Sequence, residues 1–122
     1  LQMRSTLIGV DLICNRQLVQ SDLNEADILK RLDEKPTHLI VTPTGGQGYL
    51  LGRGNQQLSA KVLRRIGKEN LHVLATKEKL FHLRGRALLV DTGDEEVDKM
   101  LCGYVCVIVS YREEQMCRIS RI

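Results

Sequence analysis

The 122-residue chain carries little aromatic surface: no tryptophan, one phenylalanine (Phe81) and three tyrosines (Tyr49, Tyr104 and Tyr111). That scarcity excludes the stacking platform on which single-stranded nucleic acid is held. No run of 18 apolar residues occurs, and no charged start is followed by an apolar segment, so the expectation is a cytoplasmic protein with no membrane partner. Only two prolines are present and no low-complexity stretch divides the sequence. Residues 1–122 are therefore expected to form a single domain, read as a piece of a longer chain.

Charge of one sign is also lacking. The formal net charge of +3 comes from 18 basic and 15 acidic residues, which are mostly interspersed. This is too weak a field for nucleic acid, although it leaves room for a small anionic ligand. Cys14, Cys102, Cys106 and Cys117 show no CxxC spacing, and His38, His72 and His82 complete no zinc pattern with them. The four cysteines read as reduced, small buried hydrophobes, and the histidines, each beside or within an apolar run, as structural residues. No metal site is expected within the chain.

What is present is an alternation of short periodic segments. Residues 7–14 favour a strand, and Asn15-Arg16 turns it into a return strand at 17–20. Asp22 with Glu25 resembles a capping box, followed at helical spacing by Leu23, Ala26, Leu29 and Leu32. Residues 37–42 form the next strand. Ser59 caps a helix with Val62, Leu63 and Ile66 on its apolar face and Gly67 at its end. After a strand at 71–75, Thr76 caps a short helix carrying Leu80 and Phe81; a strand at 87–90 and a helix opened by Thr92 and Glu95 follow. The long apolar run at 104–111 pairs with 115–119 across Arg112, Glu113 and Glu114. The fold class expected is α+β, a mixed β-sheet or β-sandwich core with short helices.

The functional signal lies at residues 39–59, LIVTPTGGQGYLLGRGNQQLS. A buried strand runs into Thr-Pro-Thr, and Gly45, Gly46, Gly48, Gly52 and Gly54 follow within twelve positions of Thr42. Absence of side chains lets a ligand approach the main chain, while the hydroxyls of Thr42 and Thr44, the amides of Asn55, Gln56 and Gln57, and the charge of Arg53 suit a sugar, an amide or a phosphate. Neither GxxxxGK[ST] nor GxGxxG reads through the segment. Asp91 and Asp94 are second-rank ligand candidates, equally explained by a helix start. No nucleophile elbow, histidine-centred triad or paired catalytic carboxylate is apparent, so no catalytic residue is assigned.

VTPTGGQGY at 41–49 resembles the Thr-Pro-Thr-Gly signature of the C-terminal domain of ATP-NAD kinases, usually TPTGSTAY. Together with GVDLI at 9–13, GKENLHVLAT at 67–76 and LLVDTGDEEVD at 88–98, the pattern is similar to a divergent branch described as predicted polyphosphate- or ATP-dependent NAD kinases, to which the acetoin-catabolism protein X group is related. The resemblance implies a partner, an N-terminal α/β kinase domain whose GGDG motif serves phosphoryl transfer; no GGDG occurs here. It implies NAD as substrate, ATP or polyphosphate as donor and Mg2+ in the full-length parent, a homo-oligomer, and a C-terminal domain that is chiefly a β-sandwich.

By the same resemblance Thr42, Thr44, Gly45 and Tyr49 align with positions lining the NAD pocket, whereas Gly46, Gln47 and Gly48 replace the usual Ser-Thr-Ala. With Arg53, Asn55 and Gln56 they make up the candidate binding set. A non-catalytic nucleotide-sensing module, or part of a kinase for another small molecule, is the alternative reading.

Overall fold

The computed structural model describes residues 2–5, 10–44, 47–52 and 57–121, with Arg4 and Ser5 described by their backbone. Nine strands form one mixed sheet: β1 (Gln2–Ser5), β2 (Val10–Cys14), β3 (Gln17–Gln20), β4 (His38–Val41), β5 (Tyr49–Leu51), β6 (Leu71–Leu74), β7 (Leu88–Val90), β8 (Gly103–Ser110) and β9 (Glu113–Arg121). Their order is β3-β2-β1-β4-β6-β8-β9-β7-β5. β1, β4, β6 and β8 are parallel to one another, β8 and β9 form an antiparallel hairpin, and β7 and β5 continue parallel to β9. The expected α+β class holds. Two strands, β1 and β5, were not expected from sequence, because each is only three or four residues long and neither alternates clearly.

The sheet is curled. Five strand-to-strand steps separate β4 from β5, about 24 Å across a flat sheet. Yet Thr44, three residues after the end of β4, already bridges to Tyr49 at the start of β5, a path of at most about 17 Å. The β5 edge must bend back toward β4. The single curled sheet packs against helices, so the core is not the sheet-on-sheet sandwich that the resemblance implied.

Three helices fill the inside of that curl: α1 (Glu25–Glu34), α2 (Ala60–Ile66) and α4 (Glu95–Leu101), where α1 packs on α2, α2 on α4, and α4 on β9. Arg65 pairs with Asp33 between the first two, and Arg64 reaches Asp94 at 3.1 Å and Glu96 at 3.4 Å. Alternate strand residues supply the other wall: Met3, Leu12, Leu39, Val73 and Val107 are fully buried. The fourth helix, α3 (Lys77–His82), buries only Leu80.

Local chemistry explains where the helices begin, and corrects two expectations. Asn24, not Asp22, caps α1: its Oδ1 accepts the Asp27 N–H at 2.8 Å while Asp27 Oδ2 accepts the Asn24 N–H at 3.3 Å. Leu23 and Ile28, at the two staple positions flanking that cap, are both fully buried. Asp22, at φ 53, belongs to the turn before it. α4 is capped by Asp94 rather than Thr92, with Oδ1 accepting from Glu96 and Val97 N–H groups. Ser59 and Thr76 cap α2 and α3 as expected, and Gly67 closes α2 at φ 82, a conformation that L side chains rarely adopt. The Asn15-Arg16 turn has φ of 51° and 65°, as a two-residue hairpin requires.

Candidate functional site

The carboxyl ends of β4, β6 and β8 lie side by side, and a cavity of about 360 Å³ opens over them. Thr42 follows β4, Ala75 and Thr76 follow β6, and Ser110 ends β8; all four line the cavity, above a floor of Leu74 and Ile108. Ligands in open parallel sheets bind at this end because the chain leaves it in loops while the strands hold those loops rigidly. The hydroxyl of Thr76 accepts the Lys79 N–H at 3.0 Å and keeps its own proton to donate. Thr42 is exposed and lines the same cavity.

Leu74 and Ile108 also line a second cavity of about 310 Å³, with Ile40, Gln2, His38 and His72. The two cavities thus share a floor and form one trough across the sheet face away from α1, α2 and α4. Outward residues of four neighbouring strands build it, since Gln2 pairs with His38, Ile40 with His72 and Leu74 with Ile108 in register.

His38 Nδ1 and His72 Nε2 lie 2.9 Å apart, their ring centroids 5.0 Å apart. One ring donates and the other accepts, so two imidazolium ions are disfavoured. Burial, and secondly the charge of His38, push the His72 pKa below the ordinary imidazole value. An unfolded chain therefore takes up this proton at higher pH than the folded one, and stability falls as pH drops below the ordinary value until the folded His72 itself titrates. Thermal melts between pH 7.5 and 5.5 are expected to show about 1–2 °C less loss of Tm in His72→Gln than in the parent chain. Equal loss in both would remove the pair's role.

The glycine turn itself divides. The Thr44 N–H donates to the Tyr49 carbonyl at 2.8 Å, and the Thr44 hydroxyl points to the same oxygen at 3.4 Å. Thr44 thus closes the turn and does not face the trough. Gln47 is exposed, and Tyr49 is half-buried as the first residue of β5. Gly48 is buried at φ 79, and a Cβ there would stand 2.9 Å from Leu83 Cδ2; its carbonyl accepts the Leu89 N–H at 3.0 Å. Close packing on α3 and β7 therefore accounts for this glycine. Gly45, Gly46, Arg53, Asn55 and Gln56 lie outside the described residues.

Of the sequence candidates, Thr42 alone is placed on the trough. Asp94 is consumed by its cap and by Arg64. The acid that sequence reading missed is Asp98, buried in α4, which accepts from the Thr92 N–H at 3.0 Å and the Thr92 hydroxyl at 2.7 Å. Cys106 is exposed on the outward face of β8, in contrast to the buried position expected of it, because it falls in the alternate register to Val105 and Val107. His38 and His72 were read as unrelated structural residues; only strand pairing brings them together. Their signal was the outward period-2 position each shares with an apolar neighbour, Ile40 and Leu74.

Fold and trough together define a class: an α+β domain that offers a hydroxyl-rimmed, apolar-floored groove at the carboxyl ends of parallel strands. A family model for the ATP-NAD kinase C-terminal domain matches residues 1–119, and the chain belongs to that family. Neither a curated protein nor a solved structure matches it.

Proposed function

We propose that this chain is the dinucleotide-binding and oligomerisation domain of an ATP- or polyphosphate-dependent NAD kinase-like protein that converts NAD to NADP. Family membership over residues 1–119 supports an N-terminal kinase domain as its partner in the parent. The observation that carries the binding role is the juxtaposition of Thr42, Thr76 and Ser110 over the Leu74–Ile108 floor. Hydroxyls at the mouth suit the ribose and amide groups of a dinucleotide, and the floor suits a planar ring. Among the described residues no carboxylate lines this trough and no three metal-ligating side chains converge. The residues present do not fit Mg2+, whose ligands we assign to the parent's other domain.

In phosphoryl transfer the protein acts mainly by positioning and electrostatics, so a domain without an acid or base can still contribute by orienting the acceptor. Tyr111, exposed just beyond the end of β8, marks the surface we assign to contacts between copies. A non-catalytic nucleotide-sensing module is the second reading, favoured by the lack of any carboxylate at the trough.

Adding NAD to the chain should shift the amide resonances of Thr42, Thr76 and Ser110. Thr42→Val, which keeps shape and removes the hydroxyl, should weaken binding about five-fold, the worth of one neutral hydrogen bond. Unmoved resonances at all three positions would sink the binding role.

A further inference from the structure

We infer that the cleft between the α3–β7 turn and the free edge of β9 is a second ligand site, built for a small phosphorylated ring compound of the nucleotide type. β7 begins at Leu88, whose register partner is Ile119, whereas β9 runs back to Glu113. Residues 113–118 of β9 therefore have β8 on one side and no described strand on the other. Every second residue there turns its peptide N–H and C=O away from β8, into open space.

The turn at residues 83–87 stands opposite that edge. Between them lies a cavity of about 320 Å³, and beyond Leu80, Gly85 and Gln115, which line both, a second of about 540 Å³. Buried Leu80, Leu83 and Leu88 make the floor. Burial also pushes the Cys117 thiol, in the same wall, above its ordinary pKa, as expected of a poorly hydrated surface.

The rim is cationic. Arg86 and Arg118 line the first cavity, Lys77 and Arg84 the second, and among the described residues no aspartate or glutamate lines either. Arg86 is pre-oriented, its Nε donating to the Leu83 carbonyl at 2.9 Å. Lys77 is ion-paired with Glu113, holding that carboxyl below the usual carboxylate range. In a chain with four aromatic side chains, two flank this cleft: Tyr104, 71% exposed, and Phe81, 78% exposed.

Tyr104 is the direct register partner of Arg118, so a flat ring and a guanidinium stand side by side. Guanidinium groups bind phosphate in fork geometry, an aromatic face takes a base, and free peptide groups of a strand edge can read the base's polar rim. None of these residues lines the trough at Thr42. The site is independent of the reading proposed above.

The test titrates the chain with ADP, tripolyphosphate and adenosine at low salt, following amide resonances. ADP should shift residues 83–87 and 115–118. Arg86→Ala and Arg118→Ala should each weaken ADP about ten-fold, with Arg118→Lys recovering part of the loss. Tyr104→Ala should weaken ADP while leaving tripolyphosphate unchanged, and adenosine should bind more weakly than ADP. All three side chains concerned are on the surface, so melting curves should match the parent. ADP shifts confined to Thr42, Thr76 and Ser110, no ADP binding, or ADP affinity indifferent to both arginine variants would overturn the site. Tripolyphosphate binding as tightly as ADP with no effect of Tyr104→Ala would overturn the ring component.

Discussion

Leu83→Ala is expected to destabilise the chain by about 2–4 kcal/mol, the usual loss for a fully buried leucine truncated beside neighbours that cannot close in. Leu83 is 3% exposed and meets the backbone of Gly48 from below. The reciprocal change, Gly48→Ala, acts through the same contact. Its Cβ would lie 2.9 and 3.2 Å from the two Leu83 methyls at φ 79, adding left-handed backbone strain of about 1–2 kcal/mol to a contact relieved only by moving a buried side chain.

The two changes should not add. Removing the Leu83 methyls opens room for the alanine Cβ, so in urea melts the double variant should recover about 1 kcal/mol relative to the sum of the singles. Strict additivity would show that Gly48 is required for its backbone angle alone. This matters for the signature segment, because it separates glycine kept for packing from glycine kept for a ligand.

Asp98→Ala should cost about 2–3 kcal/mol, against about 1 kcal/mol for Thr92→Val. The Asp98 carboxylate is 8% exposed and accepts two hydrogen bonds from Thr92, one from main chain and one from the hydroxyl. Truncating it strands a part-buried N–H and removes two charge-assisted bonds, whereas the valine removes the hydroxyl's bond to Asp98 and its longer contact at 3.3 Å from the Asp94 N–H, leaving the carboxylate bonded to the Thr92 main chain. Thermal melts of the two variants read the difference directly. Equal losses would mean that the carboxylate serves only the hydroxyl.

Much of the secondary structure was legible because its causes are local. Ser59 and Thr76 cap their helices through hydrogen bonds three residues on, and the Asn15-Arg16 turn depends on two residues. Where several cap-capable residues crowd together, as in Ser21-Asp22-Leu23-Asn24 and Asp91-Thr92-Gly93-Asp94, the choice passes to tertiary contacts. Burial of both Leu23 and Ile28 favours Asn24, and Thr92 bonding to Asp98 leaves Asp94 as the cap. Strands of three or four residues, β1 and β5, carry too few alternations to be read, and exist because neighbours pair with them.

By itself the sequence determined the α+β alternation, the helix starts at Ser59 and Thr76, the Thr-Pro-Thr-Gly signature and the family that it resembles, since each depends on residues within a few positions of one another. The tertiary structure alone decided which polar groups meet. It set Thr42 beside Thr76 and Ser110, and joined His38 to His72 across parallel strands. It also gathered Lys77, Arg84, Arg86 and Arg118 from a chain whose charges look evenly mixed. The physical reason is register: strand pairing and the curl of the sheet bring together residues more than thirty positions apart, and no local periodicity encodes which ones.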